Sequence, residues 1–474
     1  MSYRFPFIDN NAYQGGGIDT RYPRNLIFKP FHQGGKPALV LAPGLETLVD
    51  TGTGMEIRGM TTMDDNVYIV AGNRLFSMND KTQLTEIDGD PILTETGLVT
   101  MDFNDALNNH HLVICDGTYS YCYKETTGLL TRLSSDDHDF MGGESVTFVN
   151  GRWVFNRIDS NRFFWSGLND GLSHDAASFF GVQSPTGNII RVLADKDEVI
   201  VFKKSGIAFF AVFTSDGNPY THRPGSDMSV GLHARNAVAR LDNTTYWLGE
   251  DLNVYRANGY SPVVISSHQI TREFESYEIT EDAIAYAYVF DGLPYFSLTF
   301  PTAGKSWVYD AANKRWFERS SYRKNKSSDG RYRGNCYTKF GHRHLIGDYE
   351  NGLIYELSNA IFQENNNPIR FSNTCPIWDN NRDYQDLSEV EVVCEQGNAD
   401  LSGQGKAPQM ILRYSKDNGR TWSNELWREM GLRGQYGARV LWNRLGSARS
   451  WLIEISGSDP IKWVITDVYA RPPE

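Results

Sequence analysis

The sequence predicts an all-β protein with a propeller-like large domain of hairpin repeats and a small C-terminal β-sandwich. Short apolar runs recur along the chain and are separated by turns of Gly, Asn and Asp. The 43 Gly against 18 Pro, with 13% aromatic residues, are typical of short strands joined by tight turns. Helix-like periodicity is confined to two short segments, so strands must provide most of the core.

The recurring unit is an apolar strand, a turn and a second strand that ends in a polar loop. Turn residues such as Asp116-Gly117 and Asn150-Gly151 tolerate positive φ and favour a hairpin in each unit. The spacing, roughly 35 to 50 residues, is typical of propeller blades, and about seven units fit the region. An irregular stack of hairpins without closure is the alternative. The units lie at 66–78, 111–123, 145–157, 198–212, 245–259, 293–310 and 343–357.

Three regions follow from these patterns. Residues 1–37 are predicted to form an extended arm, residues 38–365 the propeller-like domain and residues 366–474 the sandwich. The Asn-rich segment 358–368 is interpreted as the boundary between the two domains. Short helices are expected within 135–143 and 267–277. The arm is rich in aromatic residues, which need a surface of their own domain or of a neighbouring subunit. These residues, predicted as an intersubunit arm, are Phe5, Phe7, Tyr13, Tyr22 and Phe28.

The formal net charge is -12 and the sequence pI is near 5.4. Proteins that bind nucleic acid tightly are usually basic, so an acidic wall facing DNA would suit a conduit better than a clamp. On charge alone, a solvated acidic surface is the favoured interpretation. Five scattered cysteines without a zinc-finger spacing are expected to be reduced. The N-terminal sequence lacks a signal-peptide layout, and no apolar run is long enough to span a membrane; we therefore expect synthesis in a cytoplasm.

One short stretch, "RYSKDNGRTWS" (413–423), resembles the Asp-box, a hairpin motif best known from sialidases. Its carboxylate can accept hydrogen bonds from turn amides, its Gly can adopt positive φ and its Trp can bury a ring beneath the hairpin. That chemistry stabilises a turn without substrate, and the chain offers no recognisable arginine triad with a Tyr/Glu pair. A structural turn is favoured over a glycosidase signature. Its residues are Ser415, Asp417, Gly419, Thr421 and Trp422.

Other patterns give no catalytic, cofactor-binding or metal-ligating set. The acidic pairs 64–65, 136–137 and 281–282 lie in polar loops, and the histidines beside predicted strands are best read as hydrogen-bonded. Gly304-Lys305-Ser306 lacks the upstream Gly of a P-loop. We therefore expect no enzyme activity and no cofactor.

The segment 319–334 is the one strongly cationic stretch, with two tyrosines interleaved. Arg and Lys beside aromatic rings suit phosphates or an acidic partner, whereas a solvated loop between hairpins is the alternative. The candidate contacts for DNA or a partner are Arg323, Lys324, Lys326, Arg331 and Arg333.

The chain as a whole resembles the packaged-DNA stabilisation proteins of short-tailed bacteriophages, the tail hub or nozzle subunits. "LVLAPGLETL" (39–48) resembles an early family element, "DSNRFFWSGLNDG" (159–171) with "KKSGIAFF" (203–210) its middle, and 246–266 with 306–321 its later hairpins. The most specific similarity is 412–455, where Trp, Gly and Arg positions follow the family order. "YPRNLIFKP" departs locally from the family's Asn-Leu-Tyr-Pro element.

This resemblance implies a non-enzymatic virion protein of the phage tail, made in the bacterial host cytoplasm. It implies a homo-hexameric ring below the portal and adaptor that extends the DNA channel, helps to retain the packaged genome and passes double-stranded DNA. It also implies docking of a plug or needle and of tail fibres or spikes. A sialidase-like propeller that cleaves or binds carbohydrate is the alternative function, and a monomeric scaffold or adhesin is a third.

Overall fold

A computed structural model describes residues 3–4, 7, 22–30, 36–106, 109–212, 218–376, 378–379 and 383–471. With 55% strand and 3% helix, it confirms the all-β class. Two helices, α1 (Ser135–His138) and α2 (His268–Glu275), lie in the two segments where short helices were predicted. Within the described residues, no helix has the length and apolar character needed to cross a membrane.

The described chain forms two compact units. The propeller unit comprises residues 47–304 and 333–356, and the sandwich unit comprises residues 1–46, 305–332 and 357–474. Each unit therefore combines segments that are distant in sequence. The two units do not correspond one to one with the three predicted regions. The boundaries at residues 37 and 365 stay a prediction.

The strands come in chain order, and most belong to hairpins. The N-terminal strands are β1 (Tyr3–Arg4), β2 (Leu26–Lys29), β3 (Ala38–Leu41) and β4 (Gly44–Asp50). The first sheet contains β5 (Ile57–Met63), β6 (Asn66–Ala71), β7 (Arg74–Met78) and β8 (Leu84–Glu86). The second contains β9 (Thr100–Phe103), β10 (His111–Cys115), β11 (Ser120–Lys124) and β12 (Leu129–Arg132).

Three further four-stranded sheets follow. The third contains β13 (Gly143–Val149), β14 (Arg152–Arg157), β15 (Arg162–Gly167) and β16 (Asp170–Gly181). The fourth contains β17 (Ile189–Asp195), β18 (Glu198–Lys203), β19 (Ile207–Val212) and β20 (Tyr220–His222). The fifth contains β21 (Val238–Leu241), β22 (Thr244–Leu248), β23 (Val254–Asn258) and β24 (Ser261–Val264).

The next strands belong partly to each unit. The propeller unit contains β25 (Ile284–Phe290) and β26 (Leu293–Phe300), and later β30 (Gly334–Phe340) and β31 (Arg343–Asp348), followed by β32 (Leu353–Ser358). The sandwich unit contains β27 (Lys305–Asp310), β28 (Arg315–Arg323) and β29 (Ser328–Arg331).

The remaining strands lie in the sandwich unit. They are β33 (Gln363–Glu364), β34 (Asn367–Pro368), β35 (Phe371–Thr374), β36 (Trp378–Asp379) and β37 (Gln385–Cys394). After a 3-10 turn at Gln404–Lys406 come β38 (Gln409–Ser415), β39 (Leu426–Glu429), β40 (Val440–Ala448), β41 (Ser450–Gly457) and β42 (Val464–Arg471).

The hairpin turns follow the residue types that sequence analysis singled out. Asn150 and Gly151, between β13 and β14, have φ of 49° and 74°. Positive φ at both central residues is the type I′ geometry that matches the twist of an antiparallel pair. Such turns allow each apolar strand to fold back directly on its neighbour.

Consecutive sheets of the propeller unit meet along their first strands. The Val99 amide donates to the Arg58 carbonyl (3.0 Å) between the first two sheets, and Ala285 donates to the Asn236 carbonyl (2.7 Å) further on. The ring closes where Asn335 on β30 donates to the Ile57 carbonyl on β5 (3.0 Å). Buried Ile57, Val67, Leu345 and Ile354 share one core cluster at this junction. In the described residues the sheets are therefore in cyclic order, which confirms the propeller and rules out the open stack of hairpins.

The sandwich unit packs two sheets around one apolar core. One sheet has the order β2-β3-β42-β37-β40 and the other β35-β41-β38-β39. Three buried tryptophans, Trp442, Trp451 and Trp463, fill the space between them. Apolar and polar residues alternate in the sequence of β37 and β41. One face of each strand therefore lies in this core.

Candidate functional site

The Asp-box-like turn connects β38 to β39 in the sandwich unit. The Asp417 carboxylate accepts from the Ser415 hydroxyl (2.7 Å), the Thr421 amide (2.8 Å) and the Thr421 hydroxyl (2.6 Å). Gly419 has φ of 90° and its amide donates to the Ser415 hydroxyl at 2.8 Å. The Trp422 ring is half-buried and lies 5.4 Å from the Arg413 guanidinium. Each of these contacts is made inside the hairpin.

Hydrogen bonding also sets the charge of this turn. Donation by the Thr421 hydroxyl and amide and by the Ser415 hydroxyl lowers the pKa of Asp417 to about 2. Donors that bind the charged form of a carboxylate favour ionisation. Asp417 is thus ionised, and its oxygens accept hydrogen bonds from residues of the turn. A glycosidase needs a carboxylic acid that is protonated and can donate its proton.

The five candidate contact residues of the basic stretch have different environments. Lys324 and Lys326 are exposed in the turn between β28 and β29, and Arg323 is partly buried. Arg331 is buried, and so is Arg333, whose guanidinium lies 2.9 Å from the Asp348 carboxylate. The predicted surface for DNA or a partner therefore has two exposed lysines, while Arg333 serves an internal ion pair.

Three aromatic residues of the predicted arm pack on their own chain. Phe7 is 1% exposed within the sandwich core, and its carbonyl accepts from the Asn373 side chain at 2.9 Å. Tyr22 lies edge-on to Trp307, with ring centroids 5.5 Å apart. Phe28 lies 3.7 Å below the Arg315 guanidinium. Phe5 and Tyr13 are outside the described residues, so the intersubunit role stays a prediction.

A buried ion pair that no sequence pattern indicated lies in the sandwich unit. The Arg319 guanidinium is 3.1 Å from the Glu364 carboxylate, and both side chains are at most 4% exposed. Glu364 also accepts from the Ser321 hydroxyl, and Arg319 donates to the Pro43 carbonyl at 3.1 Å. The pair joins β28 to the Asn-rich segment 358–368, which the sequence pattern places at a domain boundary. Local composition carries no signal for partners this far apart in sequence.

Polar side chains also link neighbouring sheets of the propeller unit. The Asp102 carboxylate on β9 accepts from the Phe148 amide on β13 at 2.6 Å. The Thr147 hydroxyl accepts from the Ala194 amide on β17 at 2.9 Å. Burial raises the pKa of Asp102 to about 6, opposed by the amides of Phe148 and Phe103. These side chains link neighbouring sheets through hydrogen bonds. No motif in the flanking sequence predicts this role.

All five cysteines are free thiols, and Cys115, Cys122 and Cys375 are buried. Burial raises the pKa of Cys115 to about 12, so this thiol is not ionised near neutral pH. Buried thiols of this kind act as small apolar side chains.

Two family models match the chain in sequence. The model described as the β-propeller of bacteriophage P22 Gp10 matches residues 8–362, and the model of its β-sandwich matches residues 371–471. The resemblance to phage tail hub proteins is thereby confirmed. No curated protein sequence matches the chain.

Solved structures with similar folds are distant. Virginiamycin B lyase from Staphylococcus aureus is 14% identical with a TM-score of 0.44, over 66% of this chain and 98% of that one. The designed protein Ika8 is 13% identical with a TM-score of 0.38, over 72% and 98%. The N-terminal domain of Nup159 is 10% identical with a TM-score of 0.39, over 73% and 99%. Likenesses this weak say nothing about what the chain binds or does.

Proposed function

Since the chain belongs to the bacteriophage P22 Gp10 family, a family of structural phage proteins, we propose that it is the tail hub of a short-tailed phage. In this role it forms a homo-hexameric ring below the portal and adaptor rings of the virion. The ring extends the DNA channel and helps to retain the packaged genome. It also anchors the plug or needle and the tail fibres or spikes.

The observation that carries this proposal is the order and extent of the two family matches. A propeller model and a sandwich model follow one another over residues 8–362 and 371–471. A propeller alone supports many unrelated functions. The pairing of both modules in one chain is specific, and it coincides with the two kinds of sheet packing described above.

The charge of the chain suits a conduit for DNA. A net charge of -12 disfavours tight binding of phosphates, so DNA could move through an acidic channel without sticking. A channel lined mainly by Lys and Arg would slow ejection. Exposed Lys324 and Lys326 are then local contacts for DNA or an acidic partner rather than part of a continuous basic lining.

Exposed apolar side chains of the sandwich unit are suited to assembly. Aromatic residues are enriched in protein interfaces, where they supply large contact areas. We propose that this set faces neighbouring subunits or other virion proteins. Its members, 47% to 77% exposed, are Tyr384, Leu401, Trp427, Leu432 and Tyr436.

Electron microscopy of the purified chain mixed with its adaptor tests the proposal. Sixfold rings attached to the adaptor are expected, and the template must be present because such interfaces often form only upon it. The double variant Trp427→Ser, Tyr436→Ser should form fewer rings with an unchanged melting temperature. Leu168→Ser, at a site 65% exposed on the propeller unit, is the matched control. A chain that stays monomeric on its adaptor would overturn the proposal.

A further inference from the structure

Three side chains that could bind a metal ion converge between the first and second sheets of the propeller unit. They are Asp64 in the β5–β6 turn, His110 just before β10 and Glu125 just after β11. One ligating atom of each lies within 4.8 Å of the others. The backbone fixes part of this geometry, because the Glu125 amide donates to the His110 carbonyl at 3.0 Å.

The tautomer of His110 favours a cation in this cluster. His110 is 8% exposed, and its Nδ1 lies 3.3 Å from the Asn104 carbonyl, which can only accept a hydrogen bond. Nδ1 must therefore carry the proton, and in the neutral ring Nε2 has a lone pair. The Asp64 carboxylate lies 3.2 Å from Nε2. Two acceptors at this distance repel each other unless a proton or a metal ion lies between them.

The carboxylates give a second reason. Among the described residues, neither Asp64 nor Glu125 forms an ion pair with Lys or Arg, and His110 is the basic group facing Asp64. Two anions thus share one small space beside a buried imidazole.

We propose that Asp64, His110 and Glu125 bind a divalent transition-metal ion of the Zn²⁺ or Mn²⁺ class. One imidazole nitrogen with two carboxylate oxygens suits such ions, whereas Ca²⁺ prefers an all-oxygen shell. The Asn104 carbonyl orients the imidazole, as hydrogen-bonded carbonyls commonly do for metal-bound histidines. Asp64 and Glu125 are exposed on one side, so water completes the coordination. The ion clamps the first sheet to the second and adds to the stability of the propeller.

Calorimetric titration of the full chain, stripped with EDTA, with Zn²⁺, Mn²⁺ and Ca²⁺ tests this proposal. One Zn²⁺ or Mn²⁺ is expected to bind per chain and to raise the melting temperature, because a ligand bound only to the folded state stabilises it. Ca²⁺ should bind more weakly. Asp64→Asn and Glu125→Gln should each weaken binding by roughly tenfold or more.

The choice of variants separates ligand loss from misfolding. Asp64 has φ of 51°, a conformation that Asn tolerates as well as Asp, so Asp64→Asn preserves the turn. His222 and Asp227 form a similar pair, with Nε2 and Oδ1 2.8 Å apart, outside the proposed cluster. His222→Gln is therefore the matched control and should leave metal binding unchanged. Absence of binding, or equal binding by the parent chain and Asp64→Asn, would overturn the proposal.

Discussion

Asp417 shows how a motif associated with enzymes can be a turn. Its carboxylate is held by Ser415 and Thr421, and its pKa is lowered to about 2 by these donors. All of these partners belong to the turn itself. The resemblance to an Asp-box therefore describes local geometry, and the hydrolysis of sugars requires groups that the turn does not supply.

We expect Asp417→Ala to lower the melting temperature by a few degrees. The substitution removes the acceptor of the Thr421 amide and hydroxyl and so frees the turn between β38 and β39. Calorimetry of parent and variant at neutral pH measures the effect. Glu425→Ala is the matched control, since Glu425 is an exposed carboxylate of the same loop. Equal losses in both variants would contradict the turn interpretation.

The melting temperatures of the parent chain and of Asp417→Ala should depend differently on pH. The folded-state pKa of Asp417 is lowered from 3.8 to about 2, so its contribution is present above pH 4 and is lost as the pH falls towards 2. The difference in melting temperature between parent and Asp417→Ala should shrink across that range. A difference that is constant down to pH 2 would mean that the charged form is not what stabilises the turn.

At the scale of elements, the sequence predicts the hairpins, but it does not predict the contacts that join one hairpin to a distant part of the chain. Turn pairs such as Asn150-Gly151 and short apolar runs specify hairpins locally. The regular repeat favoured a propeller, but it left an open stack of hairpins as the alternative. The link from Asn335 to the Ile57 carbonyl, and the pair of Arg319 with Glu364, join residues far apart in sequence. No local preference encodes such contacts, because they arise only when the packed strands bring the groups together.

Glu364 provides a prediction at the scale of elements, because its carboxylate forms a buried ion pair on β33. We expect Glu364→Gln to lower the free energy of unfolding by about 3–5 kcal/mol, because it removes the negative charge that lies 3.1 Å from the buried Arg319 guanidinium. Denaturation followed by tryptophan fluorescence measures this loss.

A double variant and a control variant test whether the loss in Glu364→Gln comes from the buried charge. Replacing both partners, as Arg319→Met with Glu364→Leu, should recover much of the loss, since an apolar pair leaves no buried charge. Glu86→Gln breaks the exposed pair with Arg74 (3.4 Å) and should cost less than about 1 kcal/mol. If Glu364→Gln costs no more than Glu86→Gln, the buried pair does not stabilise the unit.

At the scale of the whole molecule, the sandwich unit is assembled from both ends of the chain. Leu39 and Val40 of β3 pair with Ile465 and Val464 of β42, and Tyr3 pairs with Ala470. The apolar core likewise combines N-terminal side chains with those of the C-terminal strands. The sequence pattern predicts a separate domain over residues 366–474, because five apolar strands look sufficient for a sandwich.

We therefore expect the fragment 366–474 to fold poorly alone and to fold better when residues 1–46 follow it through a short linker. The fragment lacks Phe7, Leu26, Leu39 and Leu41 of its core and exposes the edge of β42, which favours aggregation. A short linker suffices because Tyr3 lies beside Ala470. Melting curves and light scattering compare both fragments with a control in which the added segment carries Leu39→Asp and Leu41→Asp. Equal stability of the bare and extended fragments would instead support an independent domain that begins near residue 366.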